Sequence, residues 1–213
     1  MELYRTVKKE ASDEFAEKRS RFIGYCKPVA AEEDALAFIQ KIKSKHHDAT
    51  HNVYAYCLRN GMTKRYSDDG EPQGTAGIPT LDVLVKSELS DAVVVVTRYF
   101  GGTMLGAGGL VRAYSHGAKI AVAASGIVAM QLACVCRITC RYDQYGKISA
   151  LIPACGGVID STIFTDNVTV DMHVAKAQME FFESTLTEST GGSIAAEKIS
   201  EKFYEFFENK QDF

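Results

Sequence analysis

The run Ala92 to Thr97, AVVVVT, constrains this chain more than any other stretch. With no polar residue alternating through it, it suits a strand buried on both faces, so structure must cover it on each side. Leu110, Val111, Tyr114, Ala118 and Val122 then recur near the helical period and predict a helix over Leu110 to Ala124. Between strand and helix lies RYFGGTMLGAGG, with five glycines among the nine residues from Gly101 to Gly109 and an arginine on each side, Arg98 and Arg112. Two readings stand side by side. A glycine-rich turn into a helix start can gather free N–H groups around an anion, or it can be a tight crossover that needs glycine for packing alone.

The rest of the chain arranges itself around this stretch. Residues 1 to 11 predict a short strand, Phe22 to Val29 a second, and Ala30 to Lys45 an amphipathic helix. Leu36, Ile39 and Ile42 mark the expected buried face of that helix, with Phe38 at its margin. Its acidic start and lysine-rich end suit the helix dipole. Val53 to Leu58 and Thr63 to Tyr66 predict strands joined across Asn60-Gly61, a hairpin signal. The segment Ser67 to Pro79 breaks every period and is expected as a loop, and Thr80 to Leu89 as a helix.

From position 126 the pattern restarts. Leu132 to Arg141, Tyr142 to Ala154, Val158 to Phe164, Val168 to Val174, Ala175 to Ser189 and Ser193 to Ile199 read in order as βαββαβ, the ferredoxin-like unit. The expected division is therefore 1–130 and 131–213, in an α+β chain.

Charge excludes some functions. A net charge of -3 argues against the broad positive surface of a dedicated nucleic-acid binder. The charge is uneven, however. Seven basic and twelve acidic residues follow position 132, which leaves the first 132 at +2, so attraction to phosphate favours the first half. No apolar run approaches the ~20 residues needed to span a bilayer, and MELYRTVKKEASDEF lacks a signal-peptide core. Six cysteines without CxxC pairing read as buried reduced thiols. A cytoplasmic location is expected, with no membrane partner.

The candidate site residues follow from the loops. Arg98, Tyr99, Gly101, Gly102, Gly106, Gly108, Gly109 and Arg112 form the candidate anion-binding set. Asp68, Asp69 and Glu71 form an acidic loop, which reads either as an ordinary solvated loop or as carboxylates placed beside the glycine-rich turn. His51 is a candidate polar contact. His46, His47 and His51 invite a metal reading, but HDATH lacks the glutamate of HExxH, and histidines at a helix C-terminus suit the dipole without any ligand. No metal or other cofactor is expected. Ser115 and His116 are adjacent on a helix and point apart, no G-x-S-x-G elbow exists, and no GK[ST] follows the glycines.

Long blocks of sequence carry a resemblance. DDGEPQGTAGIPTL at 68 to 81 and TRYFGGTMLGAGGLVRAYS at 97 to 115, with HN at 51 to 52, resemble the signature of the IMPACT family and its bacterial YigZ branch. The resemblance implies a first domain with the α+β fold of the second domain of ribosomal protein S five. It implies a ferredoxin-like second domain similar to domain V of elongation factor G. It also implies translation-linked regulation. Eukaryotic members restrain a starvation kinase by binding its activator through an RWD domain, and this sequence shows no such domain. The expectation is a non-catalytic protein that binds RNA, the ribosome or a translation factor. The alternative is an enzyme or small-ligand protein acting on a phosphorylated substrate at the glycine-rich cleft.

Overall fold

The apolar run at 92–97 lies in the middle strand of an antiparallel sheet. The computed structural model describes residues 3–206, and the chain divides into two units, one from Tyr4 to Ala129 and the other from Met130 onward together with Leu3. The first unit contains strands β1 (Leu3–Val7), β2 (Ala11–Glu17), β3 (Ser20–Pro28), β4 (His51–Cys57), β5 (Lys64–Ser67) and β6 (Ala92–Tyr99). Its helices are α1 (Glu32–Lys45), α2 (Gly77–Lys86) and α3 (Ala107–Ser125). The sheet order is β2-β3-β6-β4-β5, and every pairing is antiparallel.

Strand β6 is covered on both faces. Its Ala92, Val94 and Val96 enter a core shared with Leu84 of α2 and with Leu110, Tyr114 and Ala118 of α3. Val93 and Val95 face the other way, into a core built with Ala35, Phe38, Ile39 and Ile42 of α1. Burying each valine contributes about 1.5–3 kcal/mol, so this one strand anchors both layers. The buried face of α1 is rotated from the expected one. Ala35, Phe38, Ile39 and Ile42 keep strict i, i+3, i+4, i+7 spacing, while Leu36 is 50% exposed.

Strand β2 is an addition to the elements read from sequence. Its residues ASDEFAE are exposed or half-buried, and only Phe15 packs against a core, so an edge strand here leaves no periodic signal. Asn60-Gly61 does not form a two-residue hairpin turn. A short 3-10 turn spans Asn60–Met62, and the amide of Leu58 closes the loop by donating to the Thr63 carbonyl.

The second unit has strands β7 (Ile127–Cys140), β8 (Val158–Phe164), β9 (Val168–Ala175) and β10 (Ala196–Phe206), with helices α4 (Tyr142–Ala154) and α5 (Met179–Thr190). In its five-stranded sheet β7 pairs with β9 and β9 with β8, while β10 and β1 both pair with β7, so the order β10-β7-β9-β8 of a ferredoxin-like sheet is present with β1 added along the long β7. Ile148 and Ile152 of α4 and Phe182 and Leu186 of α5 pack on inward residues of β7 and β9 to form a separate core. The α+β reading and the βαββαβ order are borne out. All six cysteines are buried free thiols, and burial pushes that of Cys26 up to about 12, so it stays protonated. Among the described residues no helix is long and apolar enough to cross a membrane.

Candidate functional site

The acidic loop connects β5 to α2, and each of its carboxylates is engaged. Asp68 Oδ1 accepts the amide protons of Ala76 (3.1 Å) and Gly77 (2.7 Å), and its Oδ2 accepts that of Gly74 (2.9 Å). It therefore caps α2 from several residues upstream, satisfying first-turn donors that would otherwise be orphaned. Asp69, at a positive φ of 47°, accepts from Lys43 Nζ and from the amide of Asn52, each at 2.6 Å. The Asp69 carbonyl in turn accepts the Nδ1–H of His51 at 2.8 Å.

Glu71 lies deepest, with its side chain 4% exposed. Its Oε1 accepts from Arg98 Nη1 at 2.5 Å and from the Tyr114 hydroxyl at 2.8 Å. His51 Nε2 stands 3.8 Å from the same oxygen. Burial first, and the Glu71 charge second, push the Tyr114 hydroxyl far above its ordinary range, so it remains a donor. Arg98 Nη2 reaches Ser20 Oγ at 3.5 Å, and the guanidinium lies against the rings of Phe22 and Phe100. Its Nε has no hydrogen-bond partner among the described residues. A buried ion pair persists only where neighbouring donors and acceptors offset its desolvation, and Tyr114 and Ser20 do that here.

Tyr99 points to the opposite face of the sheet. Its hydroxyl donates to Asp48 Oδ1 at 3.0 Å and so accepts the Nδ1–H of His46 at 2.8 Å. His46 Nε2 then accepts from the Tyr25 hydroxyl at 2.7 Å, and Lys45 Nζ donates to Tyr25 at 3.2 Å. This directional chain from an ammonium to a carboxylate fixes His46 as neutral. Burial, and next the nearby Lys45, hold it below the ordinary histidine value.

The glycine-rich loop rises from this base. At Gly101 a Cβ would sit 2.0 Å from the Arg19 backbone, so only glycine lets the loop seat against the β2–β3 hairpin. Ser20 Oγ receives the Gly101 amide there at 3.2 Å. The hairpin turns on Lys18 and Arg19, both at positive φ (46° and 66°). Gly106, at φ 74°, is the N-cap of α3, which begins at Ala107 rather than at Leu110, so Gly108 and Gly109 belong to its first turn. Gly102 and Gly108 are exposed, as is Arg112. A Cβ on Gly108 would lie 3.7 Å from Arg112 Nη1, so the guanidinium folds back along that first turn. Among the described residues no three of His, Cys, Asp and Glu converge as metal ligands.

Comparison with known proteins places these residues. A family profile described as the Impact N-terminal domain matches residues 18–122, and one described as a domain of unknown function (DUF1949) matches residues 138–193. The chain is 39% identical over 190 residues to the IMPACT family member YvyE of Bacillus subtilis, covering 89% of this chain and 88% of that protein. It is 33% identical to the IMPACT family member YigZ of Escherichia coli over 86% of this chain and 92% of that protein. The chain belongs to the IMPACT family. A solved structure titled as that of a hypothetical protein superposes with a TM-score of 0.61 at 30% identity, over 94% of this chain and 98% of the other.

The family's signature blocks, as they stand in this chain, encode one connected arrangement. The 68–81 block supplies the cap of α2 and the buried Glu71. The 97–115 block supplies Arg98 and Tyr114 as its partners, and His51 and Asn52 tie the acidic loop to β4. Of the sequence candidates, His51, Asp69, Glu71 and Arg98 come together, and Asp68 stands beside them. Arg98 and Tyr99 leave β6 on opposite faces, and Arg112 lies apart with the glycines. Tyr114 and Ser20 escaped the sequence reading because a buried tyrosine in a helix reads as core, and a serine at a strand start carries no signal. Lys18 and Arg19 escaped because a Lys-Arg pair does not look like a turn with two positive φ angles.

Proposed function

We propose that the first unit is a non-catalytic binding module for RNA, free or in the ribosome, in keeping with the translation-linked role that the family resemblance implies. One observation carries this reading. Asp68, Asp69, Glu71 and Arg98 hold each other, the backbone and Lys43, whereas Arg112, Lys18 and Arg19 are exposed beside the open glycine-rich loop. Four charged residues of the two blocks are held in the base, whereas Arg112 of the second block, with Lys18 and Arg19 of the hairpin, is left exposed. Such a surface attracts phosphates, and it does so on the half of the chain whose net charge favours them. The family membership of this chain is consistent with the reading and leaves the partner open.

The test is binding of the full chain to single-stranded RNA and to ribosomes at two salt concentrations. Raising salt from about 50 to about 200 mM lowers affinity steeply if phosphates are the contact. Arg112→Ala weakens binding by about 10-fold or more at low salt, the scale of one charge-assisted hydrogen bond. Salt-independent binding, or turnover of a phosphoester that disappears in Asp69→Asn, overturns the reading.

A further inference from the structure

A cavity of about 470 Å³ opens between the β2–β3 hairpin and α3, lined by Phe15, Lys18, Leu105, Gly109, Arg112 and His116, with Glu17 at its rim. Its volume falls within the range of small-molecule sites, and it opens to solvent on the side of Glu17, Lys18 and Arg112. Its polar side is strongly cationic. Arg112 lies along the first turn of its own helix, where the macrodipole is already positive and no acidic residue offsets it. Lys18 comes in from the hairpin, held there by a turn docked through Arg19 on Gly101. Among the described residues no carboxylate forms a salt bridge with Lys18 or Arg112, and Glu17 is the one acid on the wall. Two cations against one, at the positive end of a helix, call for an anion of more than one charge. The other side of the cavity is aromatic. Phe15 is half-buried, stacked on Phe22 at 5.1 Å and met edge-on by His116 at 4.6 Å.

We infer that this cavity binds a phosphorylated nucleoside, with the phosphate between Lys18, Arg112 and the α3 amides and the base toward Phe15 and Leu105. The inference rests on the RNA-binding reading for its context but on the cavity for its chemistry. Its volume exceeds what a bare phosphate fills, and Phe15 and Leu105 give a base an apolar wall to lie against. His116 closes the site at the end nearest Phe15.

The experiment uses the full chain, labelled for amide NMR and titrated with inorganic phosphate, nucleoside monophosphates, and an RNA hexamer with either a 5′-phosphate or a 5′-hydroxyl. A nucleoside monophosphate moves the amides of Lys18, Gly108 and Gly109 and binds more tightly than phosphate alone. Lys18→Gln and Arg112→Gln, both at exposed positions, each weaken it about 10-fold or more. Lys119→Gln, further along α3, changes affinity less than twofold and reports on general charge. A hexamer that binds more tightly with its 5′-phosphate assigns the cavity to RNA ends. Nucleotide binding without any hexamer binding keeps the inference and removes the RNA reading. Salt-sensitive hexamer binding without nucleotide shifts at these amides keeps the RNA reading and overturns the inference. Equal losses in Lys119→Gln and Arg112→Gln overturn it as well.

Discussion

Glu71 shows how a residue's chemistry can be spent on architecture. A carboxylate in a loop rich in glycine and proline reads from sequence as solvated, or as a candidate for chemistry. In the fold it is buried against Arg98 and Tyr114, and its desolvation is offset only while both partners stay. Glu71→Gln leaves the Arg98 guanidinium buried without its counter-charge, and the expected loss is about 3–5 kcal/mol. Arg112→Ala, at an exposed position, changes stability by no more than about 0.5 kcal/mol. Urea unfolding of the two variants measures the contrast, and a wild-type midpoint for Glu71→Gln means that the pair does not hold the loop. The residue-scale signal in the sequence was real but ambiguous. Charge, glycine and arginine stood at the right positions, and nothing in their spacing told which arginine turns inward.

At the scale of elements, legibility followed periodicity. The buried run of β6 and the alternating strands of the second unit could be read because their environment repeats along the chain. The start of α2 could not, because its cap is Asp68 and no local N-cap residue announces it. The edge strand β2 was hidden for a similar reason, since its stability comes from β3 and from Phe15. His46 illustrates a tie between elements, linking the end of α1 to β3 through Tyr25 and to β6 through Tyr99. Its folded-state proton affinity is depressed, so the unfolded chain takes up a proton first as pH falls. The stabilisation is complete above about pH 6.5, the unfolded value, and is lost as pH falls through the lower folded value. A protonated ring would aim a donor at a Tyr25 oxygen that already accepts from Lys45. The stability difference between about pH 7.5 and about pH 5.5 should therefore shrink in His46→Gln relative to the wild type. An unchanged difference would place the pH dependence on other groups.

At the scale of the whole molecule, the boundary near 130 is a claim about where cooperativity ends. The first unit owns two cores, one on each side of β6, and the second owns a single core between its sheet and its two helices. No residue is shared between the two sets, so each can exclude water without the other. The restart of the pattern after position 126 falls beside the boundary between the two units. We expect a fragment from Met130 onward to fold alone, giving a circular dichroism spectrum of mixed helix and strand and a cooperative thermal transition. Two features define what that fragment must retain. Its β7 begins at Ile127, so the cut removes only the first three residues of the strand, and Cys134, Cys136 and Ile138, which enter the core, stay. Its helices α4 and α5 both keep their buried faces, through Ile148, Ile152, Phe182 and Leu186. A disordered spectrum would show that the second core depends on residues before Met130, and the two units would then be parts of one cooperative domain. A folded fragment without affinity for the RNA hexamer, beside a full chain that binds it, would assign the contact to the unit that carries the glycine-rich loop.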